Sequence, residues 1–188
     1  MTDQIHIELH GPKFGLNARN QLVLQNPDTG LQYAITPVPT RDVSPTDGRV
    51  VNVTGATLNV TEALHDGKII TLNHAGGIAV TLPTATGSGD KFDFIVGTTF
   101  TSSATIKVNN STDAFQGFSQ VISDDGTGGP IKGFAPGATD DTITLNGTTT
   151  GGYAGDHIVI TDIAAGKFQV EIRGKATGTE ATPFSSTV

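Results

Sequence analysis

The segment "KFQVEIR", residues 167–173, indicates the fold class of this chain. Phe168, Val170 and Ile172 alternate with polar side chains, so an extended strand here has one apolar face and one polar face. A period of two residues is typical of a strand that has one face on a core and the other in water. The segment therefore predicts a half-buried antiparallel strand.

Other short segments along the chain show the same alternation. They are "KIITL" (68–72), "IAVTL" (78–82), "KFDFIV" (91–96), "ATIKV" (104–108), "DTITL" (141–145) and "HIVIT" (157–161). Turn-forming residues separate them, and only "VTEALHDG" favours a helical turn, with Thr61 as its N-cap. The sequence thus predicts an all-β fold, an antiparallel β-sandwich of jelly-roll or related topology. The short loop "NHAGG" between "KIITL" and "IAVTL" predicts a β-hairpin.

The first 48 residues differ from the rest of the chain. "QLVLQNPDTGLQYAI" (21–35) predicts a β-hairpin around the turn "NPDTG". Three prolines then follow in "TPVPTRDVSPTDG" (36–48) and favour an extended linker. We predict an extended N-terminal arm with a hairpin in residues 1–48 and a β-sandwich body in residues 49–188.

Composition and charge narrow the function classes. Of the 188 residues, 36% are hydrophobic and 15% charged, and the formal net charge is -7. A negative chain does not favour binding to nucleic acid or to an anionic membrane. Cysteine is absent, so neither disulfides nor thiolate metal sites are expected. The start "MTDQIHIELHG" has no secretory pattern, which predicts synthesis in the cytoplasm.

No motif in the chain predicts catalysis, a metal or a cofactor. The glycine-rich loop "NGTTTGGYAGD" (146–156) has no Lys or Arg and leads into a strand, whereas a phosphate-binding loop needs a cation and a following helix. His6 and His10 are four residues apart on a predicted strand, roughly 13 Å, which is too far for one metal ion. The pairs Asp124-Asp125 and Asp140-Asp141 do not match a calcium loop and are interpreted as turn residues.

The loop "NGTTTGGYAGD" is longer than a reversal of the chain requires. Its Tyr153 is one of two tyrosines in a chain without tryptophan, and sugars commonly stack on aromatic rings. We interpret Thr149 and Tyr153 as residues of an outer loop or a subunit contact. The alternative, left open at this point, is that the loop binds a receptor or a glycan.

Three phrases of the chain resemble small virion proteins of tailed bacteriophages. They are "VTLPTATGSGDKFDFIVGTT" (80–99), "DTITLNGTTTGGYAGDHIVITDIAAGKFQVEI" (141–172) and "TGTEATPFSST" (177–187). The resemblance is to capsid decoration or cement proteins and related head-fibre modules, and it covers about two thirds of the chain.

This resemblance implies a structural protein of the virion. Such proteins bind the outer surface of the assembled capsid, commonly as homotrimers, and bridge neighbouring major capsid subunits. The expected partners are the major capsid protein and further copies of the chain. A receptor- or glycan-binding module of a head or tail fibre is the alternative.

An extended N-terminal segment commonly contacts the capsid in these families. We therefore expect the apolar residues of the arm and its hairpin to make that contact. They are Ile5, Ile7, Leu9, Phe14, Leu22, Leu24 and Tyr33.

Overall fold

Most of the alternating segments form strands that bury their apolar side chains. The structure is a computed structural model, and it describes residues 48–123 and 130–188 together with the main chain of three strands between residues 13 and 34. By its contacts the chain divides into two units, Met1–Asp47 and Gly48–Val188.

The described strands of the first unit form one small antiparallel sheet. They are β1 (Lys13–Leu16), β2 (Leu22–Gln25) and β3 (Gln32–Ala34). The strand order is β1-β2-β3, so β2 lies in the centre.

The second unit consists of two packed sheets and one helical turn. The seven-stranded sheet has the order β11-β10-β14-β13-β8-β6-β4 and the five-stranded sheet the order β15-β12-β9-β7-β5, in which the strands are β4 (Val50–Val53), β5 (Thr57–Asn59), β6 (Ile69–Leu72), β7 (Ala79–Thr81), β8 (Lys91–Val96), β9 (Ala104–Lys107), β10 (Ala114–Ser123), β11 (Ile131–Phe134), β12 (Thr142–Leu145), β13 (His157–Ala164), β14 (Lys167–Ala176) and β15 (Phe184–Ser185). Helix α1 (Glu62–His65) connects β5 to β6. No helix in the described part of the chain has the length and apolarity needed to cross a membrane.

One hydrophobic core lies between the two sheets. Phe92, Phe94, Phe168 and Ile160 from the seven-stranded sheet and Ile143 from the five-stranded sheet are 0% exposed. The alternation read from "KFDFIV" and "KFQVEIR" therefore identified side chains that face the core. The predicted all-β sandwich is confirmed.

The sheets are mixed, although the sequence predicted antiparallel sheets. Strands β4 to β9 alternate between the two sheets. β4, β6 and β8 are parallel neighbours in the seven-stranded sheet, and β5, β7 and β9 are parallel neighbours in the five-stranded sheet. The chain thus makes three windings, like a short solenoid. Strands β12 and β13 then add to the sheets in antiparallel orientation.

The predicted hairpin at "NHAGG" is wrong for the same reason. Its two strands are β6 and β7, which lie in different sheets. The turn at His74–Gly77 carries the chain across the core, and Gly77 has a φ of 88°. A Cβ at Gly77 would lie 2.3 Å from the carbonyl oxygen of Ser103. A period of two residues predicts a strand but not its neighbour, so the sequence pattern alone did not exclude the hairpin.

The predicted helical turn is present as α1, and Thr61 is its N-cap residue. The Thr61 side chain makes no capping hydrogen bond to the helix main chain. The Nδ1 atom of buried His65 instead lies 3.0 Å from both the main-chain nitrogen and the carbonyl oxygen of Thr61.

Candidate functional site

The seven-stranded sheet, the larger of the two sheets of the body, has an outer face that points away from the core. Strand register places one row of its residues side by side across six strands. The row is Phe118, Glu171, Val159, Asp93, Ile69 and Val50. This outer face is the candidate interaction surface.

Exposed apolar side chains lie at both ends of the outer face. Val50 and Ile69 lie on β4 and β6, and three more lie on β10 and β11. Ile122 and Ile131 are register partners on β10 and β11 and are 52% and 63% exposed. Phe118 lies four residues before Ile122 on the same face of β10, with Gln120 between them, and is 38% exposed. We call Phe118, Ile122 and Ile131 the β10–β11 patch. Neighbouring exposed apolar residues on a sheet face are typical of a surface that contacts another molecule.

The charged residues in the middle of the outer face pair with one another. His157 Nε2 lies 2.6 Å from Asp93 Oδ1 across β13 and β8. Arg173 pairs with Glu171 on β14. Both carboxylates thus have a basic partner on the same face, which lowers the cost of covering them with a protein.

Asp162, near the end of β13, binds the loop between β7 and β8 through hydrogen bonds. Its buried carboxylate accepts hydrogen bonds from the main-chain N–H groups of Thr86 at 2.8 Å, Gly87 at 2.7 Å and Ser88 at 3.3 Å, and from the Ser88 hydroxyl at 3.1 Å. Burial alone would raise the pKa of Asp162, but these donors outweigh it and lower the pKa below its usual value of 3.8.

Asp156 likewise holds the glycine-rich loop in place through hydrogen bonds to its main chain. Its carboxylate accepts hydrogen bonds from the N–H groups of Gly152 at 2.7 Å, Tyr153 at 3.0 Å and Lys175 at 3.1 Å. Burial raises the pKa of Asp156 above 3.8, although these three N–H groups act in the opposite direction.

Two further buried aspartates hold other segments. Asp113 accepts a hydrogen bond from the N–H of Ala85 at 2.8 Å, and Asp141 accepts one from the N–H of Thr187 at 2.8 Å. The neighbouring Asp140 accepts one from the N–H of Gly137 at 2.8 Å within a turn. These buried carboxylates therefore have structural roles, which sequence reasoning had anticipated only for the turn residues.

Asp156 and Asp162 should change stability with pH in opposite directions. A lowered pKa means that Asp162 stabilises the fold above its unfolded pKa, and that this contribution is lost as the pH falls through the folded pKa. A raised pKa means that the Asp156 contribution is present in acid and is lost as the pH rises through its folded pKa.

Urea unfolding of the wild type, Asp162→Asn and Asp156→Asn at about pH 7 and about pH 3 tests this pair. The free energy of unfolding that Asp162→Asn loses relative to the wild type should be smaller at the acid pH. The loss from Asp156→Asn should be larger there. Equal pH dependence for both variants would contradict the assigned directions.

The residues predicted to contact the capsid lie in the first unit. Ile5, Ile7 and Leu9 are outside the described residues. Phe14, Leu22, Leu24 and Tyr33 lie on β1, β2 and β3, and their side chains are also outside the described part. The strand register pairs Phe14 with Leu24 and Leu24 with Tyr33. Their contact with a capsid stays a prediction.

Thr149 and Tyr153 both lie in the loop between β12 and β13 and contact other parts of the same chain. The Thr149 hydroxyl accepts a hydrogen bond from Asn146 Nδ2 at 2.9 Å, and its carbonyl oxygen accepts one from the N–H of Ala181 at 2.9 Å. The Lys175 ammonium lies 4.9 Å from the centre of the half-buried Tyr153 ring. A sugar that stacks on this face of the ring would have to displace Lys175. The predicted outer-loop or subunit contact stays a prediction.

Within residues 48–123 and 130–188 no group of three or more His, Asp or Glu side chains is arranged to hold a metal ion. The exposed side chains of the outer face are therefore the candidate functional residues that the structure adds to those read from the sequence. The comparisons with known proteins give no match, either to a family model or to a curated protein.

Proposed function

We propose that the protein is a non-enzymatic virion protein that decorates the outer surface of a bacteriophage capsid. In this role it bridges major capsid subunits and so stabilises the assembled shell. The proposal starts from the resemblance of three phrases of the chain to capsid decoration proteins.

The observation that supports it best is the β10–β11 patch. The patch consists of exposed apolar side chains on the seven-stranded sheet, those of Phe118, Ile122 and Ile131. A bound partner protein would remove their apolar area from water. Burying one large aliphatic side chain contributes about 1.5–3 kcal/mol. A sheet face whose carboxylates have side-chain partners suits docking on another protein better than recognition of a small ligand, which usually needs a concave site.

The hydrogen bonds of the buried aspartates also support a role in capsid decoration. Asp113, Asp141, Asp156 and Asp162 each hold main-chain N–H groups from a distant segment. A body held in this way loses little conformational freedom when it binds, which leaves more of the contact energy for affinity. A protein that stabilises a shell requires this stiffness.

The double variant Ile122→Asp/Ile131→Asp should bind capsids at least about 100-fold more weakly than the wild type. Two lost aliphatic contacts amount to about 3 kcal/mol or more, and tenfold in affinity corresponds to about 1.4 kcal/mol. Co-sedimentation with intact capsids that lack the protein measures the change.

The matched control is Leu64→Asp, which changes a 61% exposed side chain on α1. It should leave capsid binding unchanged. If the double variant binds as tightly as the control, the patch does not contact the capsid.

Removal of residues 1–47 should also weaken capsid binding, by about tenfold or more. The expected contribution comes from the apolar residues of the arm, such as Ile5 and Phe14. The same co-sedimentation assay measures it, with circular dichroism to show that the β-sandwich is retained. Unchanged affinity of the shortened chain would show that the arm does not contribute.

A further inference from the structure

Strands β4 and β5 are the edge strands of the two sheets at one end of the sandwich. β4 is the last strand of the seven-stranded sheet and β5 the last of the five-stranded sheet. Residues 54–56 join them, so together they are the first of the three windings. We call them the β4–β5 end.

Within residues 48–123 and 130–188, main-chain hydrogen-bonding groups on one side of β4 have no partner at this end. The carbonyl oxygens of Arg49 and Val53 accept hydrogen bonds from β6 and the residue after it, both at 2.8 Å. Because successive residues of a strand point their N–H and C=O groups to opposite sides, those of Val50 and Asn52 point away from the sheet.

β5 is arranged in the same way. The carbonyl oxygen of Ala56 accepts a hydrogen bond from the N–H of Ala79, and the N–H of Val60 donates one to the carbonyl oxygen of Thr81, both at 2.8 Å. The main-chain groups of Thr57 and Asn59 therefore point outward, alongside those of β4. Among the described strands, none pairs with the outer side of β4 or of β5.

The core is incompletely covered at the β4–β5 end. Val51 and Leu58 point inward from the first winding but are only partly buried. The equivalent side chains of the second winding, Ile70 and Val80, are 0% exposed. Stacked windings need a cap over the terminal one, because each winding buries its apolar side chains against the next.

The other sheet edges carry the usual protection against pairing. β11 contains Lys132 and follows Pro130, and β15 has two residues and follows Pro183. Residues 50–60, "VVNVTGATLNV", contain neither a charge nor a proline. An unprotected edge of this kind is suited to pairing with another strand.

We propose that the β4–β5 end pairs with the same end of a second copy of the chain. A two-fold axis perpendicular to the sheets sets β4 antiparallel to β4 of the second copy and β5 antiparallel to its β5. One partner then supplies a strand to both edges at once, whereas a single extended peptide covers one edge.

The charge distribution also favours a second copy. In a two-fold contact identical surfaces face each other, so a charged surface repels itself. The chain has a net charge of -7, but residues 50–60 are uncharged. The contact brings Val51 and Leu58 against their counterparts and completes the core of the first winding.

The test is the molar mass of the full chain in solution, measured by light scattering, without capsids. The wild type should form an assembly with an even number of copies. Val50→Lys/Thr57→Lys changes exposed positions that face away from the core, and it places like charges on diagonal positions across the contact, about 7–8 Å apart and within reach of long side chains. This variant should halve the mass. Ile163→Lys is the control, at a 42% exposed position on β13, three strands away from β4, and it should leave the mass unchanged.

Mixing separates a lost contact from a lost fold. An equimolar mixture of Val50→Lys/Thr57→Lys with Val50→Glu/Thr57→Glu should restore the wild-type mass, because opposite charges then face each other. A monomeric wild type, a mass that the lysine substitutions leave unchanged, or a mixture that does not reassociate would each overturn the proposal. The result does not depend on capsid binding, which the variants of the β10–β11 patch test separately.

Discussion

Replacing Phe168 with alanine should lower the free energy of unfolding by about 3–5 kcal/mol. Phe168 is 0% exposed, and its ring packs against Phe115 with 6.2 Å between the ring centres. Removing the ring loses the free energy gained from its burial and leaves a cavity between the two sheets. The close-packed strands around the cavity are held by their neighbours in each sheet, so they cannot move to fill it. Urea unfolding followed by far-ultraviolet circular dichroism measures the change.

Phe118→Ala is the matched control for this substitution. Phe118 lies on β10, the strand next to β14, but points outward and is 38% exposed. It should cost clearly less than Phe168→Ala, about 1–2 kcal/mol, because the Phe118 ring is already partly in water and its removal leaves no closed cavity. Equal losses from the two variants would mean that the two sides of the seven-stranded sheet are not distinguished as core and surface.

Gly117→Ala should be nearly as damaging, with an expected loss of about 3–4 kcal/mol. Gly117 has a φ of 136°, and a Cβ there would lie 1.9 Å from the carbonyl oxygen of Val170. That oxygen belongs to β14 in the middle of the sheet, so the strain cannot be relieved by moving a side chain. Thermal unfolding should show a fall of about 6–16 °C, at about 2–4 °C for each kcal/mol.

The control for Gly117 is Gly133→Ala on the edge strand β11. At Gly133 the nearest atom to an added Cβ is the carbonyl oxygen of Ser119, at an ordinary 3.9 Å. This variant should stay within about 0.5 kcal/mol of the wild type. A Gly117→Ala variant as stable as the Gly133→Ala variant would contradict the close pairing of β10 with β14.

The burial pattern of the strands could be predicted because it is local. Phe92, Phe94 and Val96 alternate with Lys91, Asp93 and Ile95, and the first three are fully buried. The alternation does not say which strand lies beside which. That choice depends on turns such as His74–Gly77, which leads from one sheet to the other and where the nearby Ser103 carbonyl leaves no room for a Cβ at Gly77. This is why the mixed sheets were not predicted.

The roles of the buried aspartates could not be predicted, because their partners are distant in sequence. Asp162 and Thr86 are 76 residues apart and meet only in the folded chain. An aspartate in a stretch rich in glycine and threonine predicts a turn. It does not identify the distant segment to which the side chain binds. Likewise Ile122 and Ile131 become one exposed pair only through the pairing of β10 with β11.

Electron cryomicroscopy of phage particles that carry this chain tests the proposed function most directly. If the protein decorates the capsid, the maps will show density for the two-sheet body on the outer surface of the capsid, with the outer face of the seven-stranded sheet against the major capsid protein. Density for the body on the tail, or a capsid surface without it, would contradict the account.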